Sequence, residues 1–217
     1  MKKIIVVLIG AFFMMSFAKA QDSNVYSGYY GPKQYYTISY GMAVPLGDIK
    51  DFISKTSFKG ASFDAQIFVA DNVAVGLNVG WSQLYGDVVN STFYDPSNGF
   101  AMNAYNYKYV DFVPMRATAF YHLNPDGIVQ PYLGIGIGTN YMQQHIVIQE
   151  LDYYSHQWGF LLAPEVGTFI RFGQNSNIGA HISASYLWST NKFDFNNKSY
   201  KNFQALQVNV GLSFMLF

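Results

Sequence analysis

From Phe203 to Phe217, large apolar side chains fall on every second position, at Leu206, Val208, Val210, Leu212, Phe214 and Leu216, with Gln207, Asn209, Gly211 and Ser213 between them. A period of two means an extended strand whose successive side chains point to opposite faces, here one bulky and apolar, the other small and polar. The same alternation recurs at about 35–44, 58–70, 73–82, 107–122, 129–140, 158–172 and 178–188. In the third segment Val73, Val75, Leu77, Val79 and Trp81 alternate with Ala74, Gly76, Asn78, Gly80 and Ser82. The spacing therefore predicts an all-β chain of eight strands.

The connections alternate in length. Asp71-Asn72, Asn124-Pro125-Asp126-Gly127 and Gly173 to Asn177 are tight turns by residue type, whereas 45–57, 86–106, 144–156 and 191–202 are long. Within the first long connection, Leu46, Ile49, Phe52 and Ile53 fit one side of a short helix capped by Asp48. Pro114 removes a ladder donor from the fourth strand, and the apolar set shifts from Val110 and Phe112 above it to Met115, Ala117, Ala119 and Tyr121 below it. That shift predicts a bulge with a parity switch.

An even number of antiparallel strands, with brief turns at one end and extended loops at the other, is the pattern of an up-and-down transmembrane β-barrel with short periplasmic turns and long extracellular loops. A soluble exported barrel of lipocalin type would use the same alternation inverted. Composition separates the two. The chain is 18% aromatic and only 12% charged, where soluble domains average about 25% charged residues. The non-apolar face is mostly Gly, Ala, Ser, Thr, Asn and Gln, which suits the crowded lumen of an eight-stranded barrel better than a water-facing surface rich in Lys and Glu. Trp81, Tyr141 and Trp188 lie near the loop-side strand ends, where an aromatic girdle meets the membrane boundary.

Residues 1–20 read as a secretory signal peptide: Lys2 and Lys3, an apolar run from Ile4 to Phe17, then Ala18-Lys19-Ala20 as the cleavage site. Residues 21–34 form a polar, Tyr/Gly-rich lead-in, and 35–217 form the barrel. The 13 basic and 13 acidic residues cancel, so no nucleic-acid footprint is present. Without cysteine, the chain has neither a disulfide framework nor a site for a lipoprotein anchor.

Pro45-Leu46-Gly47-Asp48, the stretch Asp71-Asn72-Val73-Ala74-Val75-Gly76 and the closing strand with its terminal Phe217 resemble the small bacterial outer-membrane β-barrel family that includes the OmpW- and OmpX-type proteins. The resemblance implies residence in the outer membrane, contact with its lipid, and a terminal aromatic read by the barrel insertion machinery. It also implies roles in envelope integrity, in binding an external ligand or envelope protein through loops 86–106 and 144–156, in narrow porin-like passage of small or hydrophobic solutes, or as an accessory subunit of an export or secretion assembly.

On the inferred inner face lie Asp64, Arg116, Glu165, Arg171 and His181. Opposite charges from different strands can pair across a narrow lumen, giving a plug of ion pairs; the rival reading is a gated path for ions or small solutes. His181-x-Ser183 with Glu165 is the one arrangement that invites a nucleophile, base and orienting acid, and it resembles the His-x-Ser-Asn motif of outer-membrane lipid A deacylases. Ala184 stands where that family has Asn, and the residues point inward, so a non-enzymatic protein is expected. His145, His156, Glu150 and Asp152 match no compact metal spacing, and neither metal nor cofactor is expected.

Overall fold

The computed structural model describes residues 33–216, apart from 87–88, 96–99, 149–150, 175 and 196–197. At 89–95, 100–108, 146–148, 151–154, 193–195 and 198–200 it describes the backbone alone. The expected signal peptide, nearly all of the lead-in and the terminal Phe217 lie outside the described residues. Among the described residues the elements are β1 (Gln34–Leu46), α1 (Asp48–Phe52), β2 (Gly60–Phe68), β3 (Val73–Tyr85), β4 (Val89–Asp95), β5 (Phe100–His122), β6 (Val129–Ile148), β7 (Leu151–Arg171), β8 (Ile178–Phe195) and β9 (Lys198–Leu216).

All pairings are antiparallel, in the order β3-β2-β1-β9-β8-β7-β6-β5-β4. A further pairing of β3 with β5, from Val73↔Tyr121 to Tyr85↔Tyr109, closes the sheet on itself. The wall is therefore eight-stranded, and β4 stands outside it, paired with the part of β5 that runs beyond the rim. First and last strands meet at the turn end, where Gln34 pairs with Leu216.

The bulky apolar face looks outward. Ile38, Leu133, Ile135, Ile137, Val210 and Leu212 are each at least half exposed, while Asp64, Asn78, Arg116, Glu165, His181, Ser185 and Asn209 are buried. An aliphatic surface of that kind is stable against hydrocarbon and not against water, because each such side chain left in water forgoes about 1.5–3 kcal/mol of burial.

Three expectations change. Pro114 makes no bulge: Val79↔Met115 and Ser82↔Phe112 keep one register across it, and Val110, Phe112, Pro114, Arg116, Thr118, Phe120 and His122 all point inward. The apolar set shifts because the lumen itself turns apolar near the loop end, so Val110 and Phe112 are interior residues there. A bulge is found instead between β8 and β9, at Ser189/Lys192, where Asn202 opposite has φ 64. Second, Asp48 does not cap α1. Gly47, at φ 58, holds the N-cap position without a side-chain bond, and Asp48 Oδ2 instead accepts the Lys201 backbone N–H at 3.2 Å. Third, much of the three later long connections is strand: β4 with the start of β5, the ends of β6 and β7 up to Ile148↔Leu151, and the ends of β8 and β9 up to Phe195↔Lys198.

Candidate functional site

The lumen has three layers, and each follows from which inward positions carry rings, polar groups or aliphatics. At the turn end Tyr35, Phe68, Ala74, Phe120, Tyr132, Phe169 and Met215 cluster. Tyr35 stands edge-on to Phe68 at 5.1 Å and to Phe169 at 5.0 Å, and Tyr132 stacks on Phe169 at 5.3 Å. His122 stacks on Phe169 at 5.9 Å. Two polar ties close this floor, Tyr35 Oη donating to Gln130 Oε1 at 2.8 Å and His122 Nε2 against Gln66 Oε1 at 3.3 Å.

Above the floor lies a polar belt to which every wall strand contributes. Arg116 on β5 reaches Glu165 on β7 through Nη2 and Oε2, with both side chains buried. The space for that reach comes from β6, the strand between them. A Cβ on Gly136 would sit 2.7 Å from Arg116 Cδ, so a side chain there collides with the arginine stem. The period-two glycines Gly134 and Gly136 are thus a cradle for Phe120 and Arg116. Gly136→Val is expected to cost about 1–3 kcal/mol through overpacking, read as a lower midpoint of denaturant unfolding in micelles.

Proton positions in the belt follow from valence. Glu165, as the carboxylate partner of Arg116, can only accept, so Tyr132 Oη donates to Glu165 Oε1 at 2.7 Å. Having given its one proton there, Tyr132 Oη must accept from His181 Nε2 at 2.8 Å. That puts a proton on Nε2 of the imidazole, whose Nδ1 faces Ser39 Oγ at 3.5 Å. Asp64 accepts from Asn78 Nδ2 at 3.3 Å, while its Oδ1 and the Nε and Nη1 of Arg116 make no hydrogen bond. Arg116 and Glu165 thus form the one ion pair of the described belt, and Asp64 is held by the Asn78 amide.

Over the belt, at the loop end, Leu84, Val110, Phe112, Met142, Leu161, Leu187 and Phe203 converge from the wall on Ile49, Phe52 and Ile53. These last three come from α1 and the residue after it, and none is more than 5% exposed. β1 and β2 pair only as far as Tyr40↔Ala61, apart from one bridge, Ala43↔Ser57, and α1 lies in the connection between them.

Of the residues read from sequence, Asp64, Arg116, Glu165 and His181 share the belt. Arg171 does not. It lies at the turn end, where Nε donates to Gly127 O at 3.1 Å, Nη1 to Gln174 O at 3.2 Å, and Nη2 to Gly127 O at 2.9 Å and to Asp126 O. It ties two turns together, because parity sets the face a residue occupies and says nothing of its depth. No triad forms: Ser183 Oγ accepts from Asn209 at 3.5 Å, and Tyr132 stands between His181 and Glu165. Among the described residues no group of three metal-ligating side chains gathers, and Glu150 lies outside them. Trp81, Tyr141 and Trp188 all face outward, and Tyr141 packs on Trp158 at 5.0 Å. Trp158, 62% exposed, shares the parity of Leu162, Val166 and Ile170 and adds a ring to this outward face that was not among the three read from sequence. The missed layer is the apolar roof, whose signal was the inward parity of Val110 and Phe112.

A family model for the outer membrane protein beta-barrel domain matches residues 4–214. Among solved structures, a major outer membrane protein from Thermus thermophilus is similar at 9% identity and a TM-score of 0.52, covering 85% of this chain and 99% of that one. Neisserial surface protein A is similar at 15% identity and a TM-score of 0.50, covering 84% and 95%. At these identities the likeness is one of fold. No curated relative matches the chain in sequence.

Proposed function

We propose that this chain, which belongs to the outer membrane protein beta-barrel domain family, works from its outer surface and loop-end hairpins and not through its lumen. The observation that carries the reading is the filling of the interior at three levels by the protein's own side chains. An eight-stranded wall leaves an interior just wide enough for side chains. Here a ring-packed floor, a polar belt around one ion pair and an apolar roof occupy it in series. An ion crossing the roof would lose most of its hydration against Leu84, Phe112, Phe52 and Phe203, with only neutral hydroxyl and amide groups such as Ser82, Ser189 and Asn140 beside them. The barrel is accordingly a non-enzymatic envelope protein that supports and presents a surface.

Planar bilayers test this. Purified protein inserted into them is expected to give no stepwise conductance above that of lipid alone. Discrete openings that persist through repurification would replace this reading with a narrow porin-like channel. Stoichiometric co-purification with a secretion complex from gently solubilised membranes would replace it with the accessory-subunit role.

A further inference from the structure

On β3, β5, β6 and β7 the outward face does not end at the girdle. The row holding Trp81, Tyr141 and Trp158 continues upward into a second layer of rings, with Tyr109 and His145 paired across strands at 6.1 Å and His156 at 6.5 Å from Tyr141. Hydrogen-bonding groups lie among these rings. Gln83 donates to Asp111 Oδ1 at 3.2 Å, and Lys59 donates to Gln83 Oε1 at 3.3 Å while its ammonium stands 5.2 Å over the Tyr85 ring. The second layer is two to four residues beyond Trp81 and Tyr141, which on tilted strands is about 5–10 Å above the hydrocarbon boundary.

We infer that this face binds the headgroup of an outer-leaflet lipid built from phosphorylated sugars. Each part of the headgroup meets its counterpart. The apolar C–H face of a pyranose stacks on an aromatic ring, its hydroxyls exchange hydrogen bonds with amide, carboxylate and imidazole groups, and its phosphate pairs with the Lys59 ammonium. The lipid-borne source follows from continuity: directly below lie Val79, Leu77 and Ile137, the wall against which acyl chains lie. A headgroup on such a chain arrives at the second layer already tethered, which raises its effective concentration there.

The inference deepens the surface-acting reading and rests on it, but the two fail separately: a conducting lumen would leave the lipid site standing, and an unoccupied face would leave the lumen filled. Two of the chain's three tryptophans, Trp81 and Trp158, border the face, so intrinsic fluorescence reports on it. The folded protein in neutral detergent is titrated with a phosphorylated diglucosamine lipid, with phosphatidylglycerol and with the lipid-free core oligosaccharide. The expected result is a saturable emission change with the first, weakened about tenfold in Tyr109→Ala/His156→Ala and retained in Trp188→Phe. Should the double variant fail to fold, Lys59→Gln carries the test through the phosphate, and a dephosphorylated lipid must then bind wild type and variant alike. Equal binding of phosphatidylglycerol, or an unchanged double variant, overturns the inference. Equal binding of the free oligosaccharide makes the face a glycan receptor and overturns the lipid source. A dimer by light scattering that the double variant abolishes assigns the face to a second copy and overturns it too.

Discussion

Arg116→Ala is expected to lower the unfolding free energy of the barrel by about 3–5 kcal/mol, because it leaves the Glu165 carboxylate buried at mid-lumen without its cation. The loss is amplified by position. Glu165 also accepts from Tyr132, which in turn accepts from His181, so the unpaired charge disturbs a chain of bonds drawn from β6, β7 and β8. No neighbour takes over, since Asp64 is an acid and the described belt holds no second cation. Replacing both partners by apolar residues of similar volume, Arg116→Met with Glu165→Leu, is expected to recover most of the loss, because a buried pair is worth little more than the hydrophobic contact that replaces it. Reversible urea unfolding of Arg116→Met, Glu165→Leu and the double variant in micelles, beside Arg116→Ala, measures this cycle. A single variant as stable as wild type would mean that the belt is open to water and the lumen is a path.

Leu77→Arg should be comparably severe, at about 2–4 kcal/mol, for the opposite reason. Leu77 is 48% exposed and faces outward, midway along β3 between Val73 at the turn end and Trp81 at the girdle. Its cross-strand partners are Ala65 and Ala117, so an arginine there has only hydrocarbon around it. On a water-facing barrel the same substitution would be neutral or would improve solubility. Folding yield into bilayers, followed by the gel shift of the unboiled barrel, separates the two. Wild-type yield for Leu77→Arg would remove the membrane orientation on which the surface roles depend.

The eight wall strands and their two faces were legible in the sequence because lipid contact enforces alternation wherever a strand crosses the membrane. Val73 to Trp81 could hardly be read otherwise. Beyond the boundary that pressure ends. β4 and the upper parts of β5, β6 and β7 carry polar and aromatic residues without a strict period, so they read as loops although their ladders continue. The belt was legible by parity for Asp64, Arg116, Glu165 and His181, and misleading for Arg171, whose partners are carbonyls of Asp126, Gly127 and Gln174. The roof was hidden for a related reason. An apolar side chain in a membrane strand is first assigned to lipid, and only the closed register across Pro114 shows that Val110 and Phe112 point inward.

Because β3 closes directly on β5, the hairpin of β4 with the upper end of β5 is surplus to the wall. Sequence drift, insertions or whole replacements at the tip of that hairpin leave every rung of the ring intact. Closure of the ring therefore places no constraint on the sequence of this tip, while the strands beneath it are held fixed by the need to close.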